Sequence, residues 1–513
     1  MNPSQPSTGG LAATWPLAAG MVLLALSVPE WAAAAESPRE RLPNIVLILA
    51  DDMGYGDPGC YNEASRIPTP HMDRVAAEGM RFTDAHSPSA VCTPTRYGLI
   101  TGRYGWRTLR KGVIGGYSPP LIQPGEPTLP SLLKERGYRS ACIGKWHIGA
   151  TFHDREGRPT SREKEVDFRK PVTGGPTSVG FDQAYWNAGC GTCAPPYGFI
   201  EDEHFVASRF SHQAVPHGDH GMAAEGWSHA RADLVIAGKA RAYIRQAADH
   251  ERPFFLYLAP NAPHEPCVEE VVPEFARGKS KAGSRGDLVW LFDWIVGQVD
   301  EALTASGQRE NTVIIVTSDN GALPGDFKRG EGGKRLAGPG RNWLFERHGH
   351  ASNGELRGWK AHIWEGGHRV PLIVRWPGRI EAGTQAGQLF SLTDFVATLT
   401  AVAGAPAMPE AGARDSVNQL PVLLGEVHDD APPRRSMIQH SSHGVLAIRR
   451  GDWKLIAGTR GSGGWPPPRD SQPVPGAPGQ LYHLRTDPAE QENQWDREPD
   501  RVRELNQLLE EAR

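Results

Sequence analysis

What this chain has little of narrows its class first. Six cysteines in 513 residues are too few for a disulfide-stapled scaffold, so a hydrophobic core has to hold the fold. Lys and Arg number 55 against 59 Asp and Glu, a net charge of −4. Neither sign dominates, and nothing global points to a nucleic-acid partner. Long apolar runs are missing: beyond the N-terminus no stretch is long enough for a stable membrane span, and the first, residues 16–28, falls short of the roughly 20 residues a helix needs to cross a bilayer. There is no G-x-S-x-G, so a serine hydrolase would lack its nucleophile elbow. No internal repeat is found.

What is present begins with a targeting segment. The run PLAAGMVLLALSV is followed by PEWAAAAES, and the small residues suit a signal peptidase. No Lys or Arg precedes the run, but the pattern still favours a signal peptide over residues 1–35. Export, periplasmic or secreted, is the expectation. High Gly (59) and Pro (44) imply many turns and loops, a layout that suits an enzyme carrying its site on loops. The length fits one large domain and a smaller one. Residues 404–435 turn rich in Pro, Gly and charge, which places a boundary near 430. The expected domains are 42–430 and 431–513, the second a small antiparallel sheet with one helix.

Four short apolar runs read as buried strands: NIVLILADD, SACIGKWH, PFFLYLAPNAPHEP and TVIIVTSDNG. Helical patterns lie between them, as in TPHMDRVAAEGM and DLVWLFDWIVGQVDEALTAS. The alternation predicts an α/β fold, a large mixed and mostly parallel sheet sandwiched by helices. Each run carries its polar residues at its carboxyl end, where open α/β sheets bind ligands.

Those ends define a candidate site. Asp51, Asp52, Asp319 and Asn320 form two oxygen-bearing pairs, a donor set for a hard cation such as Ca²⁺ or Mg²⁺. Taken singly, either pair could simply cap a turn. Lys145, His147, His264 and Lys360 would add positive charge and make a pocket for a tetrahedral oxyanion, sulfate or phosphate. Lys145 and His147 read as two residues on one face of an extended segment. The candidate nucleophile is Cys92, placed at a helix start that favours an anion. Soft sulfur matches a hard cation poorly, so a conversion to oxygen is expected. Cys190 and Cys193 form a lone C-x-x-C, read as a local disulfide or two free thiols rather than a zinc or redox centre. The pairing of Cys60, Cys142 and Cys267 stays open.

The stretch CTPTR followed by TGR resembles the signature of the formylglycine-dependent sulfatases, within the alkaline phosphatase superfamily. PNIVLILADDMGYGDPGCYN, GKWHIG, NAPHEP, TSDNG, LRGWKAHIWEGGHRVPLIVRWPG and GDWKLI…LYHLRTDP follow in family order, covering roughly residues 42–487. The resemblance implies that a formylglycine-generating enzyme oxidises Cys92 to formylglycine (3-oxoalanine), reading it with Pro94 and Arg96. It implies a geminal diol whose one hydroxyl attacks sulfur and whose other releases the sulfate. Asp51, Asp52, Asp319, Asn320 and the oxygen at position 92 are then similar to calcium ligands. Arg96 holds the diol, Lys145 and Lys360 clamp sulfate oxygens, His147 is the base, and His264 serves the leaving oxygen. The implied substrate is an aryl sulfate or, more naturally, a sulfated carbohydrate. Two other readings fit the same residues: a phosphodiester or phosphonate hydrolase of the same superfamily, and an inactive sulfated-glycan binder. NAGCGTCAPPYGFIED departs from the family, where a serine and an acidic residue are common, and only Thr192 could substitute. The basic insertion 325–352 is expected to rim the pocket and to suit a polyanion, or to be a solvated loop.

Overall fold

A computed structural model of the chain describes residues 41–213, 219–324, 347–405, 412–427, 431–458, 461–465 and 478–513. The proposed signal peptide and most of the basic insertion lie outside the described residues. Leu42–Arg513 forms one compact unit.

The centre is a ten-stranded sheet. Its strands are β1 (Asn44–Ala50), β2 (Met80–Phe82), β3 (Arg139–Lys145), β4 (Gln183–Asn187), β5 (Ile200–Glu201), β6 (His204–Phe205), β7 (Phe254–Ala259), β8 (Thr312–Ser318), β9 (Leu372–Arg375) and β10 (Thr384–Ala386). They lie in the order β10-β2-β9-β8-β1-β7-β3-β4-β5-β6. The five strands from β8 to β4 are mutually parallel, and antiparallel pairings join β9 on one side and β5 on the other. The expected mixed, mostly parallel sheet is therefore present.

The continuous apolar runs have a simple cause. Alternate side chains of a strand face opposite sides, and both sides of this sheet are covered. Ile45, Leu47 and Leu49 of β1 enter one core with α2 (Cys92–Thr101), α3 (Leu129–Glu135) and α6 (Phe395–Val402). Val46, Ile48 and Ala50 enter the other with α1 (Pro70–Ala77), α4 (His229–Ala248) and α5 (Gly283–Ala305). All seven β1 residues are buried.

Beyond residue 430, four antiparallel strands follow: β11 (Ser436–His440), β12 (Leu446–Arg450), β13 (Trp453–Ile456) and β14 (Gln480–His483). The helix α7 (Pro499–Ala512) covers one face through Val502, Leu505 and Leu509. The other face packs Ala447, Ile456 and Tyr482 on Ile363 and Trp364, three residues past Lys360. The small sheet thus buttresses the loop that carries a site residue. Among the described residues no helix is long and apolar enough to cross a membrane.

Candidate active site

Parallel strands deliver their carboxyl ends to one edge, and there the separate motifs meet. β1 ends into Asp51 and Asp52, β8 into Asp319 and Asn320, and β3 closes on Lys145. Gly144 permits this crowding: at φ +107, a Cβ on it would lie 2.1 Å from the carbonyl oxygen of Ala259. Two further site residues, Asp52 (φ 73) and His147 (φ 55), adopt the left-handed region, as does Ala361 (φ 79) beside Lys360. Such backbone costs about 1–3 kcal/mol per residue and persists where the surroundings hold it. The strand alternation expected to carry His147 stops at Lys145, and the left-handed turn places His147 instead.

The carboxylates converge. Asp51, Asp52 and Asp319 each offer an oxygen within 4.8 Å of the others, and all are fully buried. Asn320 donates through Nδ2 to Asp52 Oδ1 at 2.7 Å, which leaves its Oδ1 buried without a partner. Asp51 Oδ1 likewise accepts no hydrogen bond. Burial and the neighbouring Asp51 push the Asp319 carboxyl well above the ordinary range. Converging oxygens, two of them orphaned, are what a hard cation requires; the donor set fits Ca²⁺ or Mg²⁺.

Three fixed cations surround these oxygens. Arg96 donates to Asp319 Oδ2 through Nη2 at 2.8 Å and Nε at 3.0 Å, and to the carbonyl of Lys145 through Nη1 at 3.1 Å. Lys145 Nζ sits 2.5 Å from Asp51 Oδ2. Lys360 Nζ sits 2.6 Å from Asp52 Oδ1 and 3.1 Å from Nε2 of His264. Burial works against both ammonium groups, and their carboxylates overcome it and hold each pKa above its ordinary value.

Cys92 is the first residue of α2, and Arg96 follows it by one helical turn on the same face. Val91 caps the helix without a side-chain hydrogen bond, so the first turn's N–H groups and the dipole favour an anion there. Burial opposes ionisation of the Cys92 thiol. Lys145 and Lys360, with His147 and His264, outweigh it and hold the pKa well below the usual thiol range. The nitrogens of His147 are distinct: Nε2 donates to the carbonyl of Ile114 at 2.7 Å, so Nδ1 carries the lone pair, buried and without a partner.

All ten residues expected from the sequence are brought together: Asp51, Asp52, Cys92, Arg96, Lys145, His147, His264, Asp319, Asn320 and Lys360. Three neighbours complete the surroundings: Cys190 and Thr192, which the sequence singles out without placing them here, and Asp233, which it does not. Cys190 Sγ lies 3.3 Å from His264 Nδ1, so the C-x-x-C borders the site, and both its cysteines are free thiols. Thr192 donates to the carbonyl of Glu265 at 2.9 Å and secures the histidine loop. Asp233 on α4 accepts from the backbone of Asn261 and Ala262 at 2.8 Å each and holds the same loop from below. A carboxylate inside the buried face of an amphipathic helix was the one signal for it. The described end of the basic insertion is anchored through His350, whose Nε2 lies 2.8 Å from Asp57 Oδ1.

The comparisons agree with this geometry. The Sulfatase family profile matches residues 43–405. An N-acetylgalactosamine-6-O-sulfatase of Bacteroides thetaiotaomicron is 32% identical over 518 residues, covering 92% of this chain and 93% of that protein. Human arylsulfatase A is 33% identical over 477 residues, covering 88% and 83%. A solved structure from work on glycosaminoglycan metabolism by Bacteroides thetaiotaomicron superposes with a TM-score of 0.77 at 31% identity, over 92% of this chain and 99% of the other. With the signature cysteine, its arginine and the carboxylate cluster meeting at one sheet edge, the chain belongs to the sulfatase family of sulfuric ester hydrolases.

Proposed function

We propose that the protein hydrolyses sulfate monoesters of carbohydrates, using a formylglycine formed from Cys92 beside a calcium ion. The observation that carries this reading is the meeting of Cys92 with three carboxylates and three fixed cations at one sheet edge. A relative 32% identical over 92% of the chain, named as an N-acetylgalactosamine-6-O-sulfatase, supports a carbohydrate sulfate as substrate.

Asp51, Asp52, Asp319 and Asn320 would hold the cation, joined by the oxygen at position 92. Magnesium would suit the same donors less well, because it demands stricter octahedral geometry. When present, the cation neutralises charge on a sulfate oxygen, and formylglycine supplies an oxygen nucleophile with a second hydroxyl for sulfate release. The chain's own side chains do the rest. Lys145 and Lys360 bind sulfate oxygens and stabilise the charge that builds on them. Arg96 donates to Asp319 Oδ2, partly offsets the upward push that burial and Asp51 exert on that carboxyl, and orients the residue one turn before it. His147 accepts a proton at Nδ1. His264 delivers one from Nε2 to the departing sugar oxygen, with Lys360 beside it.

Three fixed cations pair with the three acidic side chains and offset their charge. A dication adds charge that an anionic substrate then offsets, and the two are expected to bind together. Maturation by a formylglycine-generating enzyme and export through residues 1–35 belong to the same proposal.

Parallel kinetics test it. Sulfate release from 6-O-sulfated amino sugars and aryl sulfates is expected to exceed hydrolysis of aryl phosphodiesters. Faster turnover of the phosphodiester would overturn the assignment.

A further inference from the structure

Among the described residues, besides the carboxylate cluster and the overlapping group Asp51, Cys92 and His264, two further groups of buried side chains converge closely enough to hold a metal. His86, Glu365 and His368 form one. It is already filled from within: Lys454 Nζ lies 3.0 Å from Glu365 Oε1, 2.9 Å from Glu490 Oε1 and 3.1 Å from His368 Nε2. That lysine supplies the positive charge a metal would bring.

Cys190, Cys193 and His264 form the other group, each offering a ligand atom within 4.8 Å of the rest. We propose that Cys190, Cys193 and His264 make a soft-metal site that takes Zn²⁺, and that its occupancy inhibits the enzyme by withdrawing the His264 imidazole.

Donor chemistry and spacing both fit. Two thiolates and an imidazole, with a fourth position left for water, are a common zinc set. Tetrahedral bonds to sulfur and nitrogen place neighbouring donor atoms about 3.6 Å apart, and Cys190 Sγ already lies 3.3 Å from His264 Nδ1. The two-residue spacer folds as a tight turn, with N–H groups of Cys193 and Ala194 both donating to the carbonyl of Cys190, at 3.3 and 3.0 Å. Two cross-links hold this turn against the histidine loop. Gly191 N–H donates to Asn261 Oδ1 at 3.0 Å, and Thr192 Oγ1 donates to the carbonyl of Glu265 at 2.9 Å. The ligands are thus pre-organised before any metal arrives. The bond that binding displaces is that between His264 Nδ1 and the Glu265 carbonyl, at 2.8 Å.

The site is selective by hardness. The adjoining carboxylates suit Ca²⁺, whereas thiolates take Zn²⁺ and leave Ca²⁺ alone. Each cysteine ligates as a thiolate, so binding releases its protons to the buffer. Ligation through Nδ1 fixes the ring and takes the place of the Nδ1 proton, so the ring stays a neutral imidazole whose remaining Nε2–H is a far weaker acid than that of imidazolium. His264 then fails as the donor to the leaving oxygen. This inhibitory consequence rests on the role proposed for His264; the metal site itself does not.

The probe is Co²⁺, added to the full-length, chelator-treated, reduced enzyme with Ca²⁺ present. A sulfur-to-cobalt charge-transfer band in the near ultraviolet is expected in the parent protein and lost in Cys193→Ser. In parallel, Zn²⁺ inhibits the parent reversibly, and Cys193→Ser keeps basal turnover while its sensitivity to Zn²⁺ falls about 100-fold. Should that variant misfold, Zn²⁺ protection of Cys193 from iodoacetamide in the parent, read by peptide mass spectrometry, takes its place. Absence of both charge transfer and alkylation protection would overturn the site. Charge transfer without inhibition would keep the site and reject its effect on His264.

Discussion

Lys360 is seated on Asp52. Its ammonium lies 2.6 Å from Oδ1 and 2.8 Å from Oδ2 of that carboxylate, with His264 Nε2 at 3.1 Å on its other side. One buried cation therefore joins the proposed metal ligands to the proposed acid.

Lys360→Ala removes that link. A decrease in kcat of about 100-fold is expected, in line with loss of a charge stabiliser in a dry site. Lys360→Arg is expected to restore little, because a planar fork cannot occupy a point contact between a carboxylate and an imidazole. Steady-state kinetics on an aryl sulfate provide the measurement. An unchanged kcat in the alanine variant would remove Lys360 from the chemistry.

Residue 92 is open to direct chemical inspection. The tryptic peptide 82–96 is expected to react with a hydrazide as an aldehyde, and an intact thiol in active protein would refute the formylglycine reading. Cys92→Ser keeps an oxygen but lacks the second hydroxyl. It is expected to retain sulfate on residue 92 after one turnover, visible as a mass increase of that peptide.

Charge balance couples metal to anion. Calorimetric titration is expected to show Ca²⁺ binding more tightly when inorganic sulfate is present, and sulfate more tightly when Ca²⁺ is present, by the same factor. Chelation abolishes turnover, and Ca²⁺ restores it. Equal Ca²⁺ affinity with and without sulfate would show that the three fixed cations do not set the balance.

Stability has a pH signature away from the site. Asp293 on α5 accepts from the N–H groups of His71 at 3.1 Å and Met72 at 2.8 Å through Oδ1, capping α1 from a neighbouring helix. Burial pushes its carboxyl up to about 7, against about 3.9 in an unfolded chain. The folded state thus holds the proton more firmly. The associated stability is complete below about pH 4 and is lost as pH rises towards 7. Asp293→Asn keeps the accepting oxygen without the titration. Thermal melts across this range are expected to show a flatter pH dependence in the variant, and parallel curves would contradict the assignment.

Much of this site was readable from the chain. Continuous apolar runs such as NIVLILA and TVIIVTS reveal strands covered on both faces, and parallel strands bring their ends to one edge. Asp51, Asp52, Asp319, Asn320 and Lys145 follow from that rule, because each stands at or just past a run's end. Cys92 and Arg96 share one helical turn. His147 shows where the rule stops: its strand ends two residues earlier, and a left-handed backbone places its ring.

The sequence by itself determined the elements, the sheet edge that gathers the site and the family to which the chain belongs. These rest on local periodicity and on motifs whose spacing is covalent. Only the tertiary structure decided that Cys190 lies against His264, 74 residues away, and that Lys454 fills the His86–Glu365–His368 cluster. Loop-to-loop contacts of this kind depend on packing between distant segments, and neither hydrophobic period nor residue type marks them along the chain.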